Sequence, residues 1–289
     1  MNWRSISAPM KTTWTKILAA IMTAGLAQAA FAVDVSVDAR CNIYGAGHLP
    51  PNDAPTVGTH GGGLPPVLIL LAALSNAPAL RFLASGSVSY CPSCGVNGPD
   101  GAGFISAAPS YNGVSGITNF PGRSLIAVFV GEVEPTNPAP APLDFAIIGT
   151  NYATLAPGLR QMFFIGDGLT ANGMAQVIRV PTGASRLYLG FIDAYSYTDT
   201  PDGYDDNSGS FSVAVTPALF LGMEYSTGKP GISVFGPVGS TNRIEYTTAL
   251  PASNWIPLTN IVLTGIPTLL YDNSSAGDPA RFYRAYQWP

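Results

Sequence analysis

Hydrophobic residues from Val33 onward fall in short runs that are rich in Val, Ile, Phe and Tyr and are bounded by Gly, Pro, Asn and Asp. Such runs are typical of β-strands. Residues 210–215 alternate polar and apolar side chains, which places one side of a strand in a core and the other in water. Examples of the predicted strands are 80–90, 125–133, 143–148, 161–165, 176–180, 186–192 and 210–215. Their spacing predicts an all-β fold, an antiparallel β-sandwich.

Two further segments refine this organisation. Residues 67–75 fit either a helix or a buried strand, and the Pro-rich residues 133–143 predict a loop, because proline cannot join the interior of a ladder. After residue 217 the pattern recurs on a smaller scale. It predicts five strands, at 231–235, 243–247, 258–263, 268–271 and 281–286. The sequence therefore predicts a sandwich over residues 33–217 and a small accessory β domain over residues 218–289.

The amino terminus has the features of a secretory signal peptide. Arg4, Lys11 and Lys16 precede the apolar run 17–22, and the segment ends in Ala30-Phe-Ala, a small-x-small cleavage site. A membrane anchor needs about 20 apolar residues, more than this segment provides, and no later segment is long enough. We therefore expect cleavage after residue 32. The mature protein is then soluble and secreted, periplasmic or on the cell surface.

Composition narrows the function classes. Charged residues make up 10% of the chain, against roughly 25% in ordinary globular domains. The predicted cleavage removes three of the 13 basic residues and none of the 17 acidic ones, so no basic stripe is left to bind nucleic acid. His60 precedes three glycines, as in esterase oxyanion loops, but the chain has no Gly-x-Ser-x-Gly motif. We therefore predict that the protein is not an enzyme.

The strongest local feature is an acidic loop without basic residues. No Lys or Arg lies between Arg186 and Lys229, and five carboxylates fall within residues 193–206. The carboxylates are those of Asp193, Asp199, Asp202, Asp205 and Asp206. Like charges this close repel by about 1 kcal/mol per pair in water. Calcium would turn this repulsion into coordination, since it takes about six to eight oxygen ligands; the alternative is a solvated turn loop.

Residues 201–213, Pro-Asp-Gly-Tyr-Asp-Asp-Asn-Ser-Gly-Ser-Phe-Ser-Val, resemble the calcium loop of the PA-IL-like galactose-binding lectins. In that family a Pro-Gly turn precedes an Asn-Asn pair and then Ser-Gly-Ser-Phe-Ser-Val. Residues 84–90 and 97–101 resemble the family's strand and loop around a tyrosine whose backbone carbonyl binds calcium. The resemblance extends from Arg81 to Val215, and it implies a sandwich of galactose-binding or jelly-roll type.

The resemblance also implies a ligand set for calcium. Carbonyl ligands fall at Tyr90 and Gly203, and side-chain ligands at Asp206 and Asn207. An ungapped count places the family's aspartate at Asp199, whereas an insertion after the strand would place it at Asp193. The implied metal ligands are thus Tyr90, Asp199, Gly203, Asp206 and Asn207, with Asp193 as the alternative to Asp199.

In the family, calcium binds two neighbouring hydroxyls of galactose, and loop carboxylates accept hydrogen bonds from the sugar. The resemblance implies these sugar contacts for Asp199, Asp206 and Asp100. Two features depart from the family pattern. Asp206 stands where the family has Asn, which adds charge for calcium, and the His and Gln that grip the sugar have no counterpart in residues 100–106. The expected partner is therefore a glycan, galactose-like or other.

These observations predict a secreted, calcium-dependent carbohydrate-binding protein. The alternative is a structural or adhesive extracellular β protein whose acidic loop binds calcium for rigidity only, or not at all. The oligomeric state stays open.

Three cysteines occur in the chain. Cys91-Pro-Ser-Cys94 could be a redox motif, but such a motif needs a helix amino terminus, and this one follows a strand in a Gly-rich loop. Three Cys and two His do not supply four zinc ligands at a sensible spacing. In a secreted chain we predict a disulfide between Cys41 and Cys91, with Cys94 as the alternative partner.

The last part also carries a resemblance. Residues 236–248, 253–255 and 281–284 resemble small carboxy-terminal β modules of secreted proteins from environmental bacteria, and no activity follows from this. Trp255 and the tyrosines of this part could form a platform for sugar, but core packing is the favoured interpretation.

Overall fold

The computed structural model describes residues 32–193, 201–226, 228–252, 254–276 and 278–288. The fold is nearly all β, with 43% strand and 6% helix. The strands are β1 (Val33–Asp38), β2 (Val67–Leu70), β3 (Ala79–Ser89), β4 (Phe104–Ala108), β5 (Ile117–Pro121), β6 (Ile126–Val130), β7 (Leu143–Asp144), β8 (Thr154–Leu155), β9 (Met162–Phe164), β10 (Val177–Arg179), β11 (Arg186–Gly190), β12 (Ser208–Pro217), β13 (Phe220–Ser226), β14 (Lys229–Phe235), β15 (Thr241–Thr247), β16 (Ile256–Val262), β17 (Thr268–Tyr271) and β18 (Phe282–Gln287). Helical turns are α1 (Phe145–Ile148) and the 3-10 helices Ile43–Gly45, Leu71–Leu74 and Tyr204–Asp206.

Two sheets form the sandwich of the first part. One has the strand order β1-β12-β3-β10-β8 and the other β2-β11-β6-β9, and a small β4-β5-β7 sheet accompanies them. Most of their buried hydrophobic residues belong to one cluster that extends from Val37 to Val215. Strand β6 is buried along its whole length, which explains its unbroken Ile-Ala-Val-Phe-Val sequence. The all-β sandwich predicted from the sequence is confirmed.

Strand β12 organises the five-stranded sheet. It pairs antiparallel with β3 over its full length and with β1 on its other side. Phe211, Val213 and Val215 are fully buried, and the residues between them are more exposed. The alternation predicted for residues 210–215 is thus confirmed, because each second side chain of a strand points to the same face.

Two segments differ from the sequence prediction. Residues 67–75 contain a strand and then a helical turn: strand β2, in which only Ile69 is buried, continues directly into the 3-10 helix Leu71–Leu74. Residues 143–148 were predicted as one strand, but only β7 is extended and α1 follows it. The carboxylate of Asp144 accepts a hydrogen bond from the backbone N–H of Ala146 and so caps this helical turn. Among the described residues, no helix has the length and apolar character needed to cross a membrane.

The second part consists of two three-stranded sheets, β13-β14-β17 and β16-β15-β18. Its described residues form six strands rather than the predicted five, because β13 precedes those that the pattern indicated. Its hydrophobic cluster is separate from that of the sandwich. Where the chain passes between the two parts, Phe220 packs in a small cluster with Ala79 and Val177. The predicted signal peptide falls on residues 1–32, of which 1–31 lie outside the described residues.

The cysteine pairing predicted from the sequence is wrong. The disulfide joins Cys91 to Cys94, with the two Cα atoms 5.1 Å apart. Cys41 is a buried free thiol next to the 3-10 helix Ile43–Gly45. Burial raises the pKa of the Cys41 thiol to about 11, so it stays protonated and unreactive at neutral pH. The prediction failed because pairing depends on where the fold places the cysteines, which spacing does not give.

Candidate functional site

The two ends of the acidic-loop motif meet at one end of the β3–β12 ladder. Ser89 pairs with Ser208, so Tyr90 and Asn207 occupy the next facing positions beyond it. Facing residues in an antiparallel pair have Cα atoms about 4.5 to 5.5 Å apart. The fold therefore brings together Tyr90 and Asn207, which are far apart in sequence.

Asn207 has an amide oxygen that the fold leaves unsatisfied. The residue is 5% exposed, and its Nδ2 donates a hydrogen bond to the carbonyl of Ala39 over 3.2 Å. Its Oδ1 is buried and has no hydrogen-bond partner among the described residues. A buried acceptor without a partner costs about 1 to 3 kcal/mol, so an oxygen in this position favours a ligand such as a cation.

The acidic loop folds back on the end of β11. The Tyr204 hydroxyl donates to the carbonyl of Phe191 over 3.0 Å and accepts from the N–H of Asp193 over 2.9 Å. The N–H of Asp202 lies 3.4 Å from the carbonyl of Asp193. Asp193 and Asp202 are both buried. Two acidic residues of the predicted cluster are thus adjacent and enclosed by protein.

A tight turn connects Asp202 to Asn207. Gly203 has a φ of 87°, in the left-handed region that favours glycine, and it starts the 3-10 helix Tyr204–Asp206. The helix exposes Asp205 and Asp206 to solvent while Asn207 turns back into the protein. The short turn therefore places two exposed carboxylates beside a buried amide oxygen.

The Gly-rich segment 58–63 holds this loop by backbone contacts. The N–H of His60 donates to Oδ1 of Asp202 over 2.9 Å, and the carbonyl of His60 accepts from the N–H of Asp205 over 3.2 Å. The carbonyl of Gly61 accepts from the N–H of Tyr204 over 3.3 Å. Sequence reasoning missed this role, because His60 and its glycines suggest catalysis and pairing between distant loops has no sequence pattern.

Aromatic contacts bind the two sheets together beneath the site. The Tyr90 ring meets the Phe191 ring edge-on, with centroids 6.3 Å apart, and Phe191 lies 5.3 Å from the ring of Phe211. Such pairs are worth about 0.5 to 1.5 kcal/mol beyond the area that they bury. The backbone of Tyr90 is therefore fixed against the strand that leads to Asp193.

The disulfide adjoins the site. Strand β3 reverses through residues 91–97, and Val88 bridges to Asn97. The Ser89 hydroxyl donates to the carbonyl of Cys91 over 2.7 Å, and Arg123 donates to the carbonyl of Cys94 over 3.2 Å. Because these contacts flank Tyr90 in sequence, the cross-linked turn limits the movement of its carbonyl.

Asp100 lies away from the other predicted ligands. Its Oδ1 accepts a hydrogen bond from the N–H of Asp167 over 2.9 Å, and the carbonyl of Asp167 accepts from the N–H of Ala84 over 3.0 Å. Ala84 lies in β3, six residues before Tyr90, which directly follows that strand; six extended residues correspond to roughly 20 Å. Burial and the nearby Asp167 raise the pKa of Asp100 above its usual value despite this hydrogen bond. A shared sugar site for Asp100 and Asp206 is not supported.

Asp199 falls in 194–200, which lies outside the described residues. Across the part of the chain that the structure describes, no three His, Cys, Asp or Glu side chains are grouped to hold a metal ion. Comparisons with protein-family models, curated proteins and solved structures found no match for the chain.

Proposed function

We propose that this protein is a secreted carbohydrate-binding protein that holds sugar hydroxyls at a calcium ion, at the loop end of β3 and β12. The proposal rests on the buried Oδ1 of Asn207, which has no hydrogen-bond partner among the described residues and lies at the end of the ladder that Ser89 and Ser208 close. A polar atom in this state is satisfied by a cation, and calcium accepts amide, carbonyl and carboxylate oxygens together.

Several oxygens near Asn207 suit such an ion. The proposed companions of Asn207 are the carbonyls of Tyr90 and Gly203 and the carboxylates of Asp199 and Asp206, with Asp193 as the alternative to Asp199. Asp206 is exposed, so it can contact both an ion and an incoming sugar. Calcium takes six to eight ligands, and the positions that the protein does not fill remain for a pair of sugar hydroxyls.

Calorimetric titration tests the cation step. Calcium is titrated into chelator-treated wild type and into the double variant Asp206→Ala, Asn207→Ala. We expect heat of binding with the wild type and none with the double variant. The matched control is Asp34→Ala, which removes an exposed carboxylate from β1 and should bind calcium like the wild type.

A glycan array tests the carbohydrate step. The labelled protein is applied with calcium and again with chelator, and we expect hits that chelator abolishes. A wild type that gives no heat with calcium contradicts the proposal at its first step.

The alternative function is a structural or adhesive β protein in which calcium only makes the loop rigid. The backbone contacts between segment 58–63 and residues 202–205 favour it, because they order the loop without any ligand. Calcium that raises the melting temperature while the array stays empty would decide for this alternative.

A further inference from the structure

The outer face of the β16-β15-β18 sheet carries aromatic and guanidinium groups. In the β15–β18 ladder Arg243 faces Tyr286, and Glu245 faces Arg284. Their neighbours along the strands, Ile244 and Ala285, belong to the hydrophobic cluster of the second part. Because side chains alternate between faces, Arg243, Arg284 and Tyr286 point away from that core.

Two tryptophans extend this row. The guanidinium carbon of Arg284 lies 4.5 Å from the ring centre of Trp255, and that of Arg243 lies 4.4 Å from the ring centre of Trp288. The rings of Tyr286 and Trp288 are 5.9 Å apart. We call this set the arginine–aromatic strip; its members are Trp255, Arg284, Tyr286, Trp288 and Arg243. Trp255 is not among the residues of the hydrophobic cluster, contrary to the core packing favoured from the sequence.

Glu245 holds the strip in place from below. It is 5% exposed, and it accepts hydrogen bonds from Nε and Nη2 of Arg284 over 2.8 and 2.6 Å. Its other oxygen accepts from the Tyr286 hydroxyl over 2.9 Å and forms an ion pair with Nε of Arg243 over 3.1 Å. The two guanidinium groups are therefore oriented before any ligand arrives, which lowers the entropic cost of binding.

The strip keeps hydrogen-bond donors that have no acceptor in the described part of the chain, and positive charge that Glu245 does not balance. Among the described residues, Nη1 and Nη2 of Arg243 and Nη1 of Arg284 have no hydrogen-bond acceptor. The side chains of Arg243 and Arg284 are 21% and 27% exposed. Two guanidinium groups against one carboxylate leave a local excess of one positive charge.

We propose that the arginine–aromatic strip binds an acidic polysaccharide. A carboxylate or sulfate group of the sugar accepts parallel hydrogen bonds from the free guanidinium nitrogens. The apolar faces of the sugar rings pack against the tryptophan and tyrosine side chains.

An extended chain suits the geometry, because Arg284 and Tyr286 of β18 and Trp288, directly after that strand, occupy alternate positions over about 13 Å. The whole protein carries a formal net charge of −4, so diffuse attraction of polyanions is not expected and binding depends on the strip itself.

The test is affinity electrophoresis of the full chain, in chelator throughout, through gels that contain polygalacturonate, dextran sulfate or neutral dextran. We expect retardation by one or both acidic polymers and none by neutral dextran. Comparing the two acidic polymers shows whether carboxylate or sulfate is preferred. Chelator separates this site from the proposed calcium site, so either proposal can fail without the other.

Variants locate the binding surface. Arg243→Gln and Trp288→Ala should each weaken binding about tenfold, the effect of losing one well-placed contact. Arg243 is chosen because Glu245 keeps Arg284 and the Tyr286 hydroxyl as partners when it is changed. The control is Tyr225→Ala, which removes an aromatic ring that is 68% exposed on β13, and it should bind like the wild type. Thermal melting of each variant checks the fold.

Three results would overturn the proposal. The first is the absence of retardation by both acidic polymers. The second is equal retardation by neutral dextran, which would assign the surface to neutral glycans. The third is unchanged retardation in folded Arg243→Gln and Trp288→Ala, which would place binding elsewhere.

Discussion

Acidic residues have different surroundings in the two parts of the chain. In the second part, Asp272 and Asp278 form ion pairs with Arg281, and Glu245 forms them with Arg284 and Arg243. In the acidic loop, none of the ion pairs among the described residues involves Asp202, Asp205 or Asp206. Asp272, Asp278 and Glu245 are therefore neutralised by arginines of the same chain, whereas, within the described residues, these three loop carboxylates are not.

The largest expected loss of stability comes from breaking an ion pair of the second part. Arg281→Met removes the guanidinium from Asp272, which is fully buried and also accepts a hydrogen bond from the Tyr283 hydroxyl. Leaving a buried carboxylate without its partner should lower the free energy of unfolding by about 3 to 5 kcal/mol. Urea denaturation measures the loss.

Arg40→Met serves as the comparison for that variant. Arg40 pairs with Asp38 on the surface, where water screens both charges, so its loss should be much smaller. Equal losses in the two variants would mean that the buried network is no more important than a surface pair.

Calcium should have the next largest effect, and in the first part only. At a free concentration 100 times its Kd, a ligand that binds only the folded state stabilises it by about 2.7 kcal/mol. Scanning calorimetry with calcium and then with chelator should show this stabilisation in the wild type. Asn207→Leu should remove it, since the variant keeps side-chain volume and loses the buried amide oxygen. If calcium stabilised Asn207→Leu as much as the wild type, calcium would not bind at Asn207.

The disulfide should contribute less than calcium. Cys91 and Cys94 close a very short loop, and a chain-entropy estimate for such a loop is at most about 2 kcal/mol. Cys91→Ser, Cys94→Ser should therefore still fold, with a slightly lower denaturation midpoint. Peptide mapping without reductant should recover the pair Cys91–Cys94, and thiol titration should find Cys41 only after unfolding. A Cys41–Cys91 peptide would contradict the structure.

The smallest expected effect concerns a surface carboxylate of the first part. A hydrogen bond from His48, with a second from the backbone of Leu49, holds the pKa of Glu134 below its usual value. A carboxyl group whose pKa is lower in the folded state adds stability above its unfolded pKa and loses it as the pH falls. The stability of the wild type should thus decline slightly more below about pH 4.5 than that of Glu134→Gln.

Glu132→Gln is the control for the pH measurement. Its carboxylate is exposed and makes no hydrogen bond among the described residues, so the variant should follow the wild-type curve. The free energy of unfolding is measured by urea denaturation at each pH. If its pH dependence were the same in the wild type and Glu134→Gln, Glu134 would not contribute to it.

The sequence predicted strands well where one face alone is buried, as in β12, because alternation then appears directly in the residue order. It failed at β13, whose Phe-Leu-Gly-Met-Glu-Tyr sequence has a central glycine and no clear period. For the site, the ladder shows only that Ser89 and Ser208, the neighbours of Tyr90 and Asn207 in sequence, are paired. Asp100 contacts Asp167 beside Ala84 of β3, because the chain reverses after Tyr90 and runs back along β3, and linear proximity conceals this reversal.

The position of β12 also has a consequence for how the chain folds. Val33 pairs with Val215, so the first and last strands of the sandwich are neighbours although nearly the whole of the first part separates them in sequence. Contacts of such high sequence separation form slowly, on the millisecond to second scale in domains rich in them. Until β12 has been synthesised, β1 and the middle of β3 lack their shared partner. The first part is therefore expected to complete its larger sheet late, as a closing step rather than a nucleus.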